Sequence, residues 1–413
     1  MLMSKIIFHI DFDSYFASAH RVLNPQYDGK PIAISNKKLK RSIASSISYE
    51  LKNKGAKTGW PIYKILEVEP NTIFIEPNFD LYINLSNKIF DFLAENYSKN
   101  IEVYSIDECW MDVSDISNED NAVLLAQKMQ LEIKDKFRIP ISIGISHNKF
   151  MAKMTTGLAK PFGIMYTKFN DIPTRIWPLD ISEYFGIGKS TAQKLIDIGI
   201  TTIGKLASSN KFDHDLFNIW RSQTIFFINQ ARGISSDNLN YEHNDLKSIS
   251  NELTFMSIDL DEREQIYKII YNLCQKVALR AYNRNALGYV ISVSVRSTNR
   301  VWTRKQITLD YPTNDLNFIY EKARILFNQL FDEEYIRGVG VKLSRLVNEF
   351  DVSKKISLFE DENIDNSNKL KNIIKDINSK MKKKVIKTGD EFVRNKTKEN
   401  IQNRYLSEDM KKG

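Results

Sequence analysis

Residues 104–113 read YSIDECWMDV, and the fold turns on how this stretch is divided. Asp107 and Glu108 stand side by side inside an otherwise strand-like run. Neighbours in a regular strand face opposite ways, so an unbroken strand would bury one unpaired carboxylate, which is costly. Dividing the stretch removes the conflict. IEVYSI (101–106) and CWMDV (109–113) become consecutive strands of a tight hairpin, with DE alone between them. Side chains at a turn need not diverge, and both carboxylates can project beyond the sheet end toward one space.

Working outward, KIIFHI (5–10), NTIFIEP (71–77) and ISIGIS (141–146) are apolar, β-rich runs that read as buried strands. Apolar residues at three- and four-residue steps predict helices over about 80–98 and 119–136. From residue 71 onward the order is strand, helix, strand, strand, helix, strand. That is the split β-α-β arrangement of ferredoxin-like type, with the 5–10 strand added to its sheet. Asp11 ends that first strand, so if the strands are neighbours three carboxylates converge. Such a cluster repels itself unless cations hold it. Hard oxygen ligands favour Mg²⁺, completed by waters and substrate phosphates. Two ions about 3.5–4 Å apart suit phosphoryl or nucleotidyl transfer. The same acids also suit plain turn and cap positions, and spacing by itself does not choose.

The chain has 413 residues, too many for one core, so two to four domains are expected. With 42% hydrophobic residues, a folded protein is expected. The opening MLMSKIIFHI is too short an apolar run for a secretory signal, and no stretch of about 18 apolar residues predicts a membrane span. Cys109 and Cys274 lack metal-ligand spacing, which points to a reducing, cytoplasmic setting. Net charge is +8, but residues 351–413 carry 16 Lys/Arg against 11 Asp/Glu, and so +5 of it. Within the remainder, residues 265–309 hold eight Lys/Arg and no acid. A solvated helix face mixes both signs, so this window implies an anionic partner, with nucleic acid the natural one.

Several stretches then resemble the Y-family, or translesion, DNA polymerases. HIDFDSYFAS (9–18) and YSIDECWMDV look like the family's two catalytic motifs. SISYELKNKGAKTGWPI (46–62) resembles its nucleotide-contacting finger segment, and GISHNKFMAKMTTGLAKPFGI (144–164) the segment closing its palm. FGIGKSTAQKLIDIGITTIGKL (185–206) resembles its thumb hairpin, and KSISNELTF (247–255) the entry to its little finger. These matches keep family order over residues 5–350. The resemblance implies an α+β multidomain protein. A ferredoxin-like palm (1–17 and 75–163) carries fingers (18–74) and a helical helix-hairpin-helix thumb (164–240). A separate α/β little finger (246–350) and a flexible tail (351–413) follow.

It also implies roles. Asp11, Asp107 and Glu108 match the metal-binding triad for two Mg²⁺ ions, with the Phe12 carbonyl facing the nucleotide-bound ion. Asp13 lies outside the triad and is expected to cap the helix beginning near Tyr15. Phe16 is the sugar-sensing position, whose ring leaves no room for a ribose 2′-hydroxyl; its neighbour Tyr15 competes for that role. Tyr49, Ser46, Lys52 and Lys160 fall where the family contacts the dNTP triphosphate. Ser46 replaces the commoner Thr, and Lys52 replaces an Arg, giving a point charge in place of a bidentate fork.

Gly186, Gly188 and Lys189 open a helix whose N-terminal backbone would hold a duplex phosphate without reading bases. The acid-free window reads as a helix (265–283) and two alternating strands, GYVISVSVRSTNRVWTRKQITL (288–309). Arg296, Arg300, Arg304 and Lys305 cluster about that hairpin, to grip primer-template DNA through phosphates. Beyond residue 350, KKISLFED (354–361) places Ile356, Leu358 and Phe359 in a polar tail. ISLF resembles the peptide by which replicative proteins dock on a sliding clamp, with Lys355 where Gln is usual. The activity implied is low-fidelity, template-directed dNTP addition by a monomer. No second acidic cluster of proofreading type is visible. The rivals are a two-metal nucleotide cyclase on a similar palm, and an inactive DNA-binding scaffold.

Overall fold

The computed structural model describes residues 5–39, 41–235, 239 and 246–351. Among the described residues, those up to 284 together with 288–346 form one compact unit; residues 285–287 with 347–351 form a second, where Glu349 N–H donates to the Asn285 carbonyl at 2.7 Å.

The palm begins with β1 (Ile7–Phe12) and α1 (Tyr15–Leu23). The chain then leaves for the fingers: β2 (Ile32–Ile34), β3 (Ser46–Ile47), α2 (Tyr49–Lys52), α3 (Ile62–Val68) and β4 (Ile73–Ile75). It returns through α4 (Phe79–Asn96), β5 (Ile101–Val103), β6 (Glu108–Asp112), α5 (Ala122–Phe137), β7 (Ile141–Ser146), α6 (Lys149–Ala159) and β8 (Ile164–Tyr166). The palm sheet runs β5-β6-β1-β7-β8. With β1 counted first, this is the ferredoxin-like order, and β1 is its central strand rather than an addition. All six β1 residues are buried. Ile6, Phe8, Ile10 and Phe12 meet α4 and α5 in the main palm core.

The strand at 71–77 belongs elsewhere. Its ordered part, β4, pairs parallel with β2 in a three-stranded finger sheet. An apolar run announces a buried strand without saying which sheet takes it, and here the Ile32–Ile73 pairing takes it into the fingers.

The opposite palm face is covered by α6. At Gly144 in β7 an added Cβ would sit 2.3 Å from the Ala152 carbonyl and the Thr156 nitrogen, so only glycine lets helix and sheet meet this closely. The far side of α6 contributes Phe150, Met151 and Met154 to the thumb core. The thumb comprises α7 (Ile172–Arg175), α8 (Lys189–Asp197), α9 (Ile203–Ser208), α10 (His214–Trp220) and α11 (Thr224–Ala231). Ahead of the Gly186–Gly188 turn stands a single 3₁₀ turn, Ile181–Glu183, in place of the full first helix expected of a helix-hairpin-helix.

The little finger contains β9 (Ser248–Thr254), α12 (Arg263–Tyr282), β10 (Ala286–Ser297), β11 (Trp302–Thr313), α13 (Leu316–Asn328) and β12 (Ile336–Asn348), with sheet order β11-β10-β12-β9. Both helices lie on one face, over Ile291, Val293, Val295, Val339, Val341 and Leu343. Asp259 ties this domain to the fingers. It accepts from Arg41 Nη1 at 2.6 Å and from Arg337 Nε and Nη2, each at 3.3 Å.

Candidate active site

The carboxylate question resolves through register. β6 starts at Glu108, so Glu108 is a strand residue and Asp107 alone lies in the connection. The turn spans residues 104–107 rather than DE only. Tyr104 and Ser105 N–H both donate to the Glu108 carbonyl, at 3.1 and 3.2 Å. Glu108 stands directly opposite Asp11, and Trp110 opposite His9. Directly paired residues share a face, so Asp11, Glu108, His9 and Trp110 all face α6. Phe12 N–H donates to the Asp107 carbonyl at 2.8 Å, which brings the turn against the end of β1. Ser105 Oγ donates to Asp107 Oδ1 at 2.6 Å. Asp11 and Glu108 thus meet at one end of the two strands, with Asp107 in the turn beside them.

The helix facing them is written for the purpose. Lys149, Lys153, Thr156 and the C-capping Lys160 follow three- and four-residue steps and form one stripe of α6. Lys149 Nζ pairs with Glu102 at 2.6 Å. Lys153 binds Glu108 and lies 3.9 Å from Asp11. Thr156 Oγ1 is 2.9 Å from His9 Nδ1, and Lys160 Nζ reaches Asp11 Oδ1 at 2.5 Å. Sequence reasoning missed Lys153, Thr156 and His9. The signal was this stripe of cations at helical period, passed over because single lysines read as solvated surface.

The electrostatics follow from burial. Burial raises the Asp11 carboxyl to about 6, against the pull of Lys160 and Lys153. Burial would raise Glu108 too, but His9, 3.5 Å away, and Lys153 outweigh it and hold the carboxyl at about 2. Burial lowers His9 to about 4, so the ring is neutral near pH 7, with its Nε2 3.5 Å from the Glu108 carboxylate.

Do these residues fit a metal? The donor set is oxygen only, which suits Mg²⁺ or a similar hard cation. Two ammonium groups of the chain already stand against Asp11 and Glu108, in the place a cation would take. Among the described residues no three acidic or imidazole side chains are gathered ready to close on a single ion. The chemistry therefore fits, and Lys153 and Lys160 must give ground for an ion to enter.

Around this centre the other expected residues divide. Tyr15 points into the core, its hydroxyl donating to the Tyr82 carbonyl at 2.6 Å. Phe16 is only half-buried and stacks on Tyr82 at 4.0 Å and 6°. Ser46 is buried in β3. Lys52 Nζ lies 4.3 Å over the Tyr49 ring, and burial together with Lys160 lowers its pKa. Asp13 does not cap α1. Ser14 holds the N-cap with a left-handed φ of 47°, and the Asp13 side chain is buried in other contacts.

In the thumb, Gly186 has φ 95° and Gly188 is the N-cap of α8, with open space beside both. In the little finger the four cations do not form one cluster. Arg304 pairs opposite Ser294 on the helix-free face, whereas Lys305 pairs opposite the core residue Val293. Arg296 Nη1 donates to Thr254 Oγ1 at 3.2 Å, and Arg300 lies exposed in the β10–β11 turn. Ile356, Leu358 and Phe359 lie outside the described residues.

Comparison with known proteins matches this architecture piece by piece. The impB/mucB/samB family profile matches residues 10–157, its C-terminal domain profile residues 246–358, and the IMS family HHH motif residues 170–200. DNA polymerase IV 1 of Bacillus subtilis is 31% identical over 99% of both chains. DNA polymerase IV of Oceanobacillus iheyensis is 33% identical over 97% of this chain and 94% of its own. Among solved structures, a Y-family DNA polymerase chimera superposes with TM-score 0.73 at 28% identity, covering 83% of this chain and 99% of that one. DinB from Sulfolobus solfataricus gives 0.53 at 27% identity, covering 82% and 98%. The chain belongs to the Y family of DNA polymerases.

Proposed function

We propose that this DNA-directed DNA polymerase performs translesion synthesis with two Mg²⁺ ions held by Asp11, Asp107, Glu108 and the Phe12 carbonyl. The observation that carries the metal assignment is the pairing of Asp11 with Glu108 across β1 and β6, with Asp107 in the turn beside them. Bound there, the ions would lower the pKa of the primer 3′-hydroxyl and offset charge on the triphosphate. The chain's own residues do the rest. Glu108, kept ionised by Lys153, presents a full negative charge at the start of β6. Lys160 leaves Asp11 for the dNTP triphosphate, joining Tyr49, Ser46 and Lys52. Phe16, backed by the Tyr82 ring, stands against C2′ of the sugar and excludes a ribose hydroxyl.

Primer-template DNA is held away from the chemistry. The Gly186–Gly188 turn and Lys189 take one backbone phosphate at the start of α8. Arg296, Arg300 and Arg304, with Lys305 on the other face, supply positive charge on the little finger. Ile356, Leu358 and Phe359 would dock on a sliding clamp, as the resemblance of ISLF to clamp-binding peptides implies. Leu358→Ala with Phe359→Ala should keep extension of a bare primer and lose stimulation by a loaded clamp. Within this proposal the enzyme works as a monomer in the cytoplasm.

Primer extension with and without Mg²⁺ tests the proposal. Template-directed extension that needs the divalent ion supports it. Extension that persists in excess chelator sinks the metal assignment.

A further inference from the structure

We infer that Asp13, which lies outside the metal triad, is a positioning residue that sets the two triphosphate-binding arms, Tyr49 and Lys160, in register. The inference rests on the reading above that those two residues contact the dNTP. Asp13 follows β1 directly, and its backbone is pinned on both sides. Its N–H donates to the Pro140 carbonyl at 2.9 Å, and its carbonyl accepts from Ser18 Oγ at 2.7 Å. The side chain is 1% exposed. A carboxylate buried this deeply is costly unless its oxygens are satisfied.

Three donors from three places satisfy it. Tyr49 Oη donates to Oδ1 at 3.2 Å from the fingers. Ser142 Oγ donates to Oδ2 at 2.8 Å from β7. Phe162 N–H donates to Oδ2 at 2.7 Å from the segment just beyond Lys160. Hydrogen bonds to a buried charged acceptor are among the stronger ones. Phe162 also carries a left-handed φ of 47°, which a bulky residue keeps only where its surroundings impose it. The bond to Asp13 is one of those surroundings; the Lys134 ammonium 4.2 Å over the Phe162 ring is another.

Tyr49 and Lys160 are 111 residues apart and belong to different domains, and this one carboxylate spans the gap between their segments. It sits beside the centre of chemistry, yet two of its three side-chain bonds run to the segments that carry Tyr49 and Lys160, and the third ties it to β7. Tyr49 waits at the site with its hydroxyl on Asp13, and when a nucleotide binds its one O–H proton turns from Asp13 to the phosphate, while Ser142 and Phe162 N–H stay on the carboxylate. The sequence gap explains why the residue reads as a plain helix cap until the fold is seen.

The test is dNTP affinity for the enzyme on a dideoxy-terminated primer-template, so that no turnover occurs. DNA affinity and melting temperature are measured alongside. Asp13→Ala should weaken matched dNTP binding about tenfold, with DNA affinity unchanged. Asp13→Asn keeps one acceptor oxygen and should recover most of that loss. Combining Asp13→Ala with Tyr49→Phe should cost less than the product of the two singles, because both act through one arm. Should Asp13→Ala fail to fold, Asp13→Asn and Ser142→Ala carry the test, each expected to weaken dNTP binding about threefold. Wild-type dNTP affinity in the folded Asp13 variants would overturn the inference. So would equal losses of dNTP and DNA affinity tracking the melting temperature, which mark a merely structural residue. If Tyr49→Phe and Lys160→Ala themselves leave dNTP affinity unchanged, the triphosphate reading has failed, and this inference with it.

Discussion

The palm and the little finger have the same chain order and opposite chemistry. Each runs strand, helix, strand, strand, helix, strand, if the fingers with the second palm helix α4 and the closing α6–β8 pair are set aside. In the palm the first of these strands, β1, is central, between β6 and β7. In the little finger the first strand, β9, is at the edge and the last, β12, lies inside. A central first strand can bring its own acid opposite another, as Asp11 stands opposite Glu108. The little finger has no such junction. Its helix-free face instead carries Ser292, Ser294, Gly338 and Gly340, small residues among which Arg296, Arg304 and Lys342 stand, with one acid, Glu252, opposite Gly340. The palm gathers negative charge at a point and meets it with its own lysines. The little finger spreads three cations and one acid over a plane. In the function proposed above, catalysis uses the first arrangement and sequence-independent grip the second.

If that division is right, removing palm acids and removing little-finger cations must fail in different ways. The largest effect belongs to the palm. Asp107→Ala or Glu108→Ala should abolish primer extension, a loss beyond the roughly 10- to 100-fold typical of residues that only support metal ligands. Binding of primer-template DNA, measured by anisotropy, should stay near wild type. Extension by Asp107→Ala at a tenth of the wild-type rate would break the comparison at its strongest point.

The next effect is also in the palm and concerns choice rather than rate. Phe16→Ala should raise incorporation of matched rNTP relative to dNTP by at least about 10- to 200-fold, the range a pocket gains or loses with small changes of shape. The measurement is the ratio of kcat/KM values on one template. The half-buried ring stacked on Tyr82 motivates it. An unchanged ratio would move the gate elsewhere, although not to Tyr15, whose side chain is buried with its hydroxyl on the Tyr82 carbonyl.

The element order was legible in the sequence. The strand at 141–146 was found as read, and the helices near 80–98 and 119–136 are α4 and α5. Neighbour relations were not legible. Apolar patterning reports burial, and a strand buried in the fingers reads like one buried in the palm, which is how Ile73–Ile75 was misplaced. The acids were legible as residue types but not as a geometry. Glu108 was expected in a turn and is the first residue of β6, because β1 pairs with it there. Asp13 was hidden for a related reason. Its partners Tyr49, Ser142 and Phe162 are 36, 129 and 149 residues away, beyond the reach of any local pattern.

A smaller effect tests the plane of positive charge. Replacing Arg296, Arg300 and Arg304 together with Ala should weaken duplex binding alike on every sequence tried. The slope of log affinity against log salt should fall by about 0.9 for each DNA phosphate that is no longer neutralised. A weakening confined to particular sequences would mean base readout, and the little finger would no longer be the palm's sequence-blind counterpart.

The smallest effect separates two adjacent residues. Arg304 and Lys305 are both exposed on β11, and composition treats them alike. Register does not. Arg304 stands opposite Ser294, so it shares the face of Ser292 and Arg296, where no helix packs. Lys305 stands opposite Val293, whose side chain lies in the core beneath α12 and α13. Strand alternation therefore sends the two charges to opposite sides of one sheet. A duplex lying on the helix-free face meets Arg304 directly. It meets Lys305 only through long-range potential, which about 0.15 M salt screens over roughly 8 Å. Arg304→Ala should lower the salt slope by about 0.9, while Lys305→Ala should leave it within error. Because β11 is the edge strand, the alternative is specific: DNA running along the edge would touch both residues. Equal slope changes for the two variants would then place the duplex on the rim of the sheet, and the grip would come from an edge rather than from a face.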